Sequence, residues 1–77
     1  MTIKAKFFAT LRETLDIAQA DVDSAEVSNA IDVWRVATDG AHMPDHVLVA
    51  INLNHMPADT EVKDGDEVAF FPPVTGG

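Results

Sequence analysis

The residues best suited to chemistry are the last two, Gly76 and Gly77. Two terminal glycines leave a main-chain carboxylate with no side chain beside it, so an enzyme can enclose it, activate it and attack its carbonyl from either face. The reactive group expected here is backbone. Val68 to Gly77 contains no ionisable side chain, which leaves the terminal carboxylate as the only formal charge of a segment that would be polar if it were a frayed end. Pro72 and Pro73 fix their own φ angles and push the residues before them toward extended conformations, so the exit from Phe71 is expected to be stiff and projecting. The six residues after Phe71 span about 20 Å when extended, enough to carry Gly77 into another protein's pocket.

Other constellations carry less. His42, His46 and His55 are dispersed over a Pro-containing loop and a separate element, and no cysteine assists them, so no metal site is expected. Asp64-Gly65-Asp66-Glu67 lacks the ligand spacing of a calcium loop and reads as a turn. Ser24, Ser28 and Thr75 sit in no nucleophile elbow, and there is no glycine-rich phosphate loop. A self-sufficient enzyme is not expected, nor a permanently bound cofactor. Without cysteine there are no disulfides and no thiolate nucleophile, so any sulfur chemistry must use sulfur from elsewhere. Thirteen Asp+Glu against five Lys+Arg give a formal charge of -8, which opposes binding to nucleic acid or an anionic membrane and favours a partner with basic surface. No apolar run is long enough to span a bilayer and no secretory leader is seen, so a cytoplasmic location is expected.

The elements that must position the tail follow from periodicity. Ile3 to Phe8 alternates as a half-buried strand, with Phe8 in phase with Lys4 and Lys6. Thr10 and Glu13 match a capping box, and Leu11 and Leu15 share a face, which predicts a short helix from Thr10 to about Ile17. Ala20 to Asp23 reads as a short second strand. Ser24 is the candidate cap of a longer helix whose stripe is Val27, Ala30, Ile31 and Trp34, ending before Gly40. Val47 to Leu53 predicts a central strand and Asn54 to Thr60, interrupted by Pro57, at most a short edge strand. Asp64-Gly65 turns the chain into Glu67 to Phe71, with Val68 and Phe70 facing inward and Phe71 facing out. The prediction is an α+β fold, one mixed sheet wrapped around the main helix with a short helix after the first strand, as residues 1–71, followed by the tail 72–77. If the first and last strands are neighbours, Phe8 and Phe71 form an exposed apolar patch beside the tail exit. A bulge, sheet twist or the short helix would instead turn or cover either ring.

The run Asp64-Gly65-Asp66-Glu67-Val68-Ala69-Phe70-Phe71-Pro72-Pro73-Val74-Thr75-Gly76-Gly77, with Lys6-Phe7-Phe8-Ala9 and Leu11-Arg12-Glu13, resembles the small, sulfur-carrying subunit of molybdopterin synthase. The double glycine alone is shared with the thiazole-forming sulfur carrier and with ubiquitin-like modifiers; Phe-Phe-Pro-Pro-Val-Thr-Gly-Gly is more specific. The resemblance implies a β-grasp, ubiquitin-like fold and a cycle of reactions. An E1-like adenylating enzyme activates Gly77 with ATP, a sulfur donor converts it to a thiocarboxylate, and the tail enters the large synthase subunit to give sulfur to cyclic pyranopterin monophosphate, forming the molybdopterin dithiolene. A heterotetramer of two small and two large subunits is implied.

By the same resemblance Gly77 carries the sulfur, Gly76 keeps the passage narrow, and Pro72, Pro73, Val74 and Thr75 line the tail's path. Phe8, Phe71 and Arg12 match positions at the partner surface. A histidine at 55 departs from the apolar residue that the family commonly has there, which leaves that contact to His55 or to Met56. Two other readings are a carrier for thiazole synthesis or another thiocarboxylate route, and a ubiquitin-like interaction module whose tail is never activated.

Overall fold

The computed structural model describes residues 1–73; the expected tail residues Val74, Thr75, Gly76 and Gly77 lie outside the described residues. Alternating apolar side chains give β1 (Thr2–Phe7), whose Ile3, Ala5 and Phe7 are buried while Lys4 and Lys6 face away. There follow α1 (Ala9–Leu15), β2 (Gln19–Asp23), a single 3-10 turn at Ser24–Glu26, α2 (Ala30–Ala37), β3 (Leu48–Ile51), β4 (Asn54–Met56) and β5 (Glu67–Phe71). The sheet order is β2-β1-β5-β3-β4. β1 and β5 run parallel, and every other pairing is antiparallel. The result is the α+β architecture expected, a mixed five-stranded sheet with α2 across one face.

Three aromatic rings fill the space between α2 and the sheet. Phe7 and Phe70 are partners across β1 and β5 and stack at 5.3 Å, and Trp34 of α2 meets them edge-on at 5.5 and 5.2 Å. The Trp34 indole N–H donates to the Ala41 carbonyl at 2.9 Å, so burial of this ring leaves no polar atom unpaired. Fully burying a side chain of this kind contributes about 1.5–3 kcal/mol, which makes this cluster a principal support of so small a domain.

Both helix caps differ from expectation, although α1 begins at Ala9, within one residue of the expected Thr10. α1 has no side-chain cap: its N-cap position is Phe8, so Thr10 and Glu13 do not form a capping box, and the helix stops at Leu15 because Asp16 adopts φ 57. α2 is capped by Asn29, whose side chain accepts from the Asp32 amide at 2.9 Å while the Asp32 carboxylate accepts from the Ser28 amide. Ser24 only opens the 3-10 turn. The buried stripe of α2 is accordingly Ala30, Val33 and Trp34, and Ile31 is 42% exposed. At the other end the Gly40 amide donates to Arg35 and the Asp39 amide to Val36, a Schellman arrangement whose left-handed residue is Asp39 at φ 57, with Gly40 following it at φ 88.

β3 is interior but β5 holds the centre of the sheet. The β3–β4 hairpin turns at Asn52 and Leu53, both at positive φ, and Gly65 at φ 88 turns the chain into β5. No helix among the described residues is long and apolar enough to cross a membrane.

Candidate functional site

The side of the sheet turned away from α2 is where the tail begins. Its composition follows from register, since side chains alternate and partners across strands share a face. One row reads His55, Ala50, Ala69, Lys6 and Gln19 across β4, β3, β5, β1 and β2. The row toward the tail contains Leu48 opposite Phe71, with Phe8 beyond it at the end of β1. The row on the other side pairs Glu67 with Lys4, and Lys4 in turn with Asp21.

Phe8 and Phe71 stack almost parallel, with ring centroids 4.8 Å apart and planes at 7°. Phe8 is 40% exposed and Phe71 half-buried, so the pair offers apolar area at the root of the tail. Leu48 extends the patch and is likewise exposed. The Phe8 amide donates to the Phe70 carbonyl at 3.1 Å, which carries the β1–β5 pairing to the last residue before α1 and fixes the ring beside Phe71. Lys6 reaches Glu67 at 3.2 Å across the same two strands.

The two residues that sequence left as alternatives fall on opposite faces. His55 is paired with Ala50, so it shares the outer face, and its ring lies 6.3 Å from that of Phe71. Met56 is paired with Val49, whose side chain points to the core; an open groove of about 410 Å³ wraps the β3–β4 edge and is bordered by Met56, Val47 and Pro57 and also by His55 and Leu48. Arg12 is exposed on α1 and makes no ion pair among the described residues. Pro72 is half-buried and Pro73 exposed. Both border an apolar cleft of about 210 Å³ between α1, Trp34 and Pro44. Sequence reasoning missed this cleft, though the Leu11 and Leu15 spacing marks the helix face that forms one wall. It also missed Leu48, because a continuous apolar run gives no alternation from which to read a face.

No cluster of metal-ligating side chains occurs among the described residues, and no side-chain polar atom there is buried without a partner. What the geometry offers is a central strand, β5, that runs out into Pro72 and Pro73 beside an exposed, stacked aromatic pair.

Comparison with known proteins agrees with that description. A model of the ThiS family matches residues 5–77. The molybdopterin synthase sulfur carrier subunit of Haemophilus influenzae is 40% identical, over 92% of this chain and 94% of the relative. The Escherichia coli protein of the same name is 37% identical, over 97% of this chain and 99% of its own length. Among solved structures, SAMP1 from Haloferax volcanii superposes with a TM-score of 0.75 at 28% identity, covering 100% of both chains.

Proposed function

This chain belongs to the ThiS family, and from that premise we propose that it is the sulfur carrier subunit of a molybdopterin synthase. The observation that carries the reading is likeness over nearly the whole length to two relatives of that name. The aromatic patch at the tail root supports it by giving the carrier a surface on which to dock.

The chemistry requires each step in turn. The Gly77 carboxylate is a poor electrophile, so it attacks the α-phosphate of ATP on an E1-like activating enzyme, releasing pyrophosphate and forming an acyl-adenylate. A donor persulfide displaces AMP to give an acyl disulfide, and a second thiol cleaves its sulfur–sulfur bond by exchange, leaving the thiocarboxylate and a disulfide between that thiol and the donor. That sulfur is a soft nucleophile, and docking converts its attack on the pterin precursor from a bimolecular encounter to a positioned one. The pterin precursor is cyclic pyranopterin monophosphate, and two such transfers build the dithiolene.

In this scheme the tail, Pro72 to Gly76, occupies a channel of the larger synthase subunit, while Phe8, Phe71 and Leu48 pack on that subunit's surface. Arg12 supplies a cation at the rim of the contact, and His55 rather than Met56 faces the partner. Two carriers and two larger subunits make the assembly, which works in the cytoplasm; the carrier itself keeps no cofactor, and ATP is used on the activating enzyme.

The test is intact-mass spectrometry. After incubation with the activating enzyme, ATP and a sulfur source, one oxygen at the C-terminus should be replaced by sulfur. A mass that never changes, while a control carrier in the same mixture is converted, refutes the proposal.

A further inference from the structure

The apolar cleft of about 210 Å³ beside α1 lies where the chain leaves the sheet. Leu11 and Trp34, both buried, line it together with Leu15 and Pro44. Pro72 and Pro73 complete the lining, so the last described residue of the chain stands at the cleft itself. Val74, Thr75, Gly76 and Gly77 follow it, and Val74 is the only one of these with a wholly apolar side chain.

We propose that this cleft is the resting seat of the chain's own tail, taking the Val74 side chain against Leu11, Leu15 and Trp34 until a partner draws the tail away. Covalent geometry favours this occupant. Consecutive Cα atoms lie about 3.8 Å apart, so Val74 starts beside the cleft, and the chain beyond Pro73 reaches no further than about 14 Å. A group tethered so closely has an effective concentration in the millimolar range or above, which a free side chain of another molecule at micromolar concentration does not match. The chain also has a joint at the right place. Phe71 and Pro72 each precede a proline, and the prolines fix their own φ, so Val74 is the first residue past Phe71 with neither restriction. The tail carries no ionisable side chain that an apolar lining would exclude. A second copy of the chain, with the same formal charge of -8, is repelled at the approach that sharing the cleft would need.

The seat does not depend on the carrier reading, whereas its effect on docking rests on it, because there the same tail enters the larger subunit's channel. Burying one valine side chain and fixing the residue that bears it are opposite contributions of similar size, so the seated tail outnumbers the released tail by between one and about ten to one. Docking draws on the released tail alone, and its apparent affinity is lowered by the released fraction. Blocking the cleft should therefore tighten binding to the larger subunit by about twofold to tenfold.

The experiment is methyl NMR of the full-length carrier as wild type, Thr14→Phe and Val74→Gly, with calorimetric titration of wild type and Thr14→Phe into the larger subunit. Thr14 is exposed and borders the cleft, so phenylalanine there fills the space from outside the core. Expected in the wild type are nuclear Overhauser contacts from the Val74 methyls to the Trp34 ring and to Leu15, lost in Thr14→Phe, with the Kd of that variant about twofold to tenfold lower. Val74→Gly should shift the Leu15 and Trp34 resonances, a result that stands whether or not Thr14→Phe folds. Val74 methyls at random-coil positions without those contacts, contacts that persist in Thr14→Phe, or Leu15 and Trp34 resonances unmoved by Val74→Gly overturn the inference and leave the carrier reading standing. A Kd of Thr14→Phe equal to that of the wild type overturns the effect on docking. Absence of wild-type binding to the larger subunit overturns the carrier reading, and the Val74 contacts then decide the seat by themselves.

Discussion

Replacing Phe71 by alanine separates docking from folding, because the ring belongs half to each. Its neighbour Phe70 is fully buried against Phe7 and Trp34, and Phe70→Ala should cost the about 3–5 kcal/mol typical of a core phenylalanine. Phe71 has one face on Phe8 at 4.8 Å and is half-buried. Its replacement should therefore cost about 1–2 kcal/mol, of which the stack supplies about 0.5–1.5, recoverable from a double-mutant cycle with Phe8→Ala. A domain of this size has about 4–12 kcal/mol of stability in all, so Phe71→Ala stays folded with Tm lowered by about 4–8 °C per kcal/mol lost. On the reading proposed above the same ring anchors the docked carrier, and its loss should then cost at least about 2 kcal/mol, or about 30-fold in Kd for the larger subunit. Thermal unfolding and calorimetric titration of Phe8→Ala, Phe71→Ala, Phe70→Ala and the Phe8→Ala/Phe71→Ala double variant provide every value. Equal destabilisation by Phe71→Ala and Phe70→Ala would make Phe71 a core residue. A Kd within threefold of wild type for Phe71→Ala would place the docking face elsewhere.

Asn29→Ala removes the acceptor for the Asp32 amide and should lower stability by about 1 kcal/mol, measured by urea unfolding, whereas Ser24→Ala should cost less because Ser24 does not cap α2. Leu53 is 86% exposed at φ 72, so Leu53→Gly should raise stability by about 0.5–1 kcal/mol in the same assay, since relief of the left-handed strain outweighs the entropy glycine adds to the unfolded chain. One glycine added after Gly77 should abolish sulfur transfer in a reconstituted synthase and leave Tm unchanged, because it moves the reactive carbon by about 3.5 Å, beyond near-attack geometry.

The strands were legible and the helix caps were not, for a physical reason. Strand period is two, so Ile3, Ala5 and Phe7 declare one face and Lys4, Lys6 and Phe8 the other, and a register error would expose a whole row of apolar groups. Helix starts depend on one local hydrogen bond, and several residues compete for it. The sequence suggests Thr10 with Glu13 and Ser24 as caps, and neither caps its helix, whereas Asn29 does. Hydrogen bonds from the Ala30 and Ile31 amides to Thr60 and Ala58, and from Val62 to Ser28, tie the start of α2 to the segment after β4. These tertiary bonds place the first turn of the helix at Ala30, and with it the cap at Asn29. The same shift replaces Ile31 by Val33 in the buried stripe. The choice between His55 and Met56 was illegible because it depends on which of two adjacent residues pairs with Ala50, a property of the hairpin turn at Asn52 and Leu53.

The parallel pairing of β1 with β5 is what joins patch and tail. In an antiparallel pair the C-terminal end of β1 would lie beside the N-terminal end of β5, and Phe8 would stand near Glu67, a full strand length from Pro72. Parallel register instead sets Phe7 against Phe70 and so brings Phe8 to Phe71 at the edge where the chain leaves the sheet. Parallel neighbours cannot be joined by a hairpin, and here α1, β2, α2, β3 and β4 all intervene between the two strands. Every element of the fold thus separates in sequence two rings that must meet in space. The Phe8–Phe71 patch, proposed above as the docking surface, is consequently a property of the folded domain and not of the tail peptide. A peptide spanning only Phe71 to Gly77 lacks Phe8 and His55 alike, so it should fail to compete with the intact carrier for the larger subunit at equal concentration. Competition by that peptide at parity would show that the tail alone carries recognition and that the pairing of β1 with β5 matters only for stability.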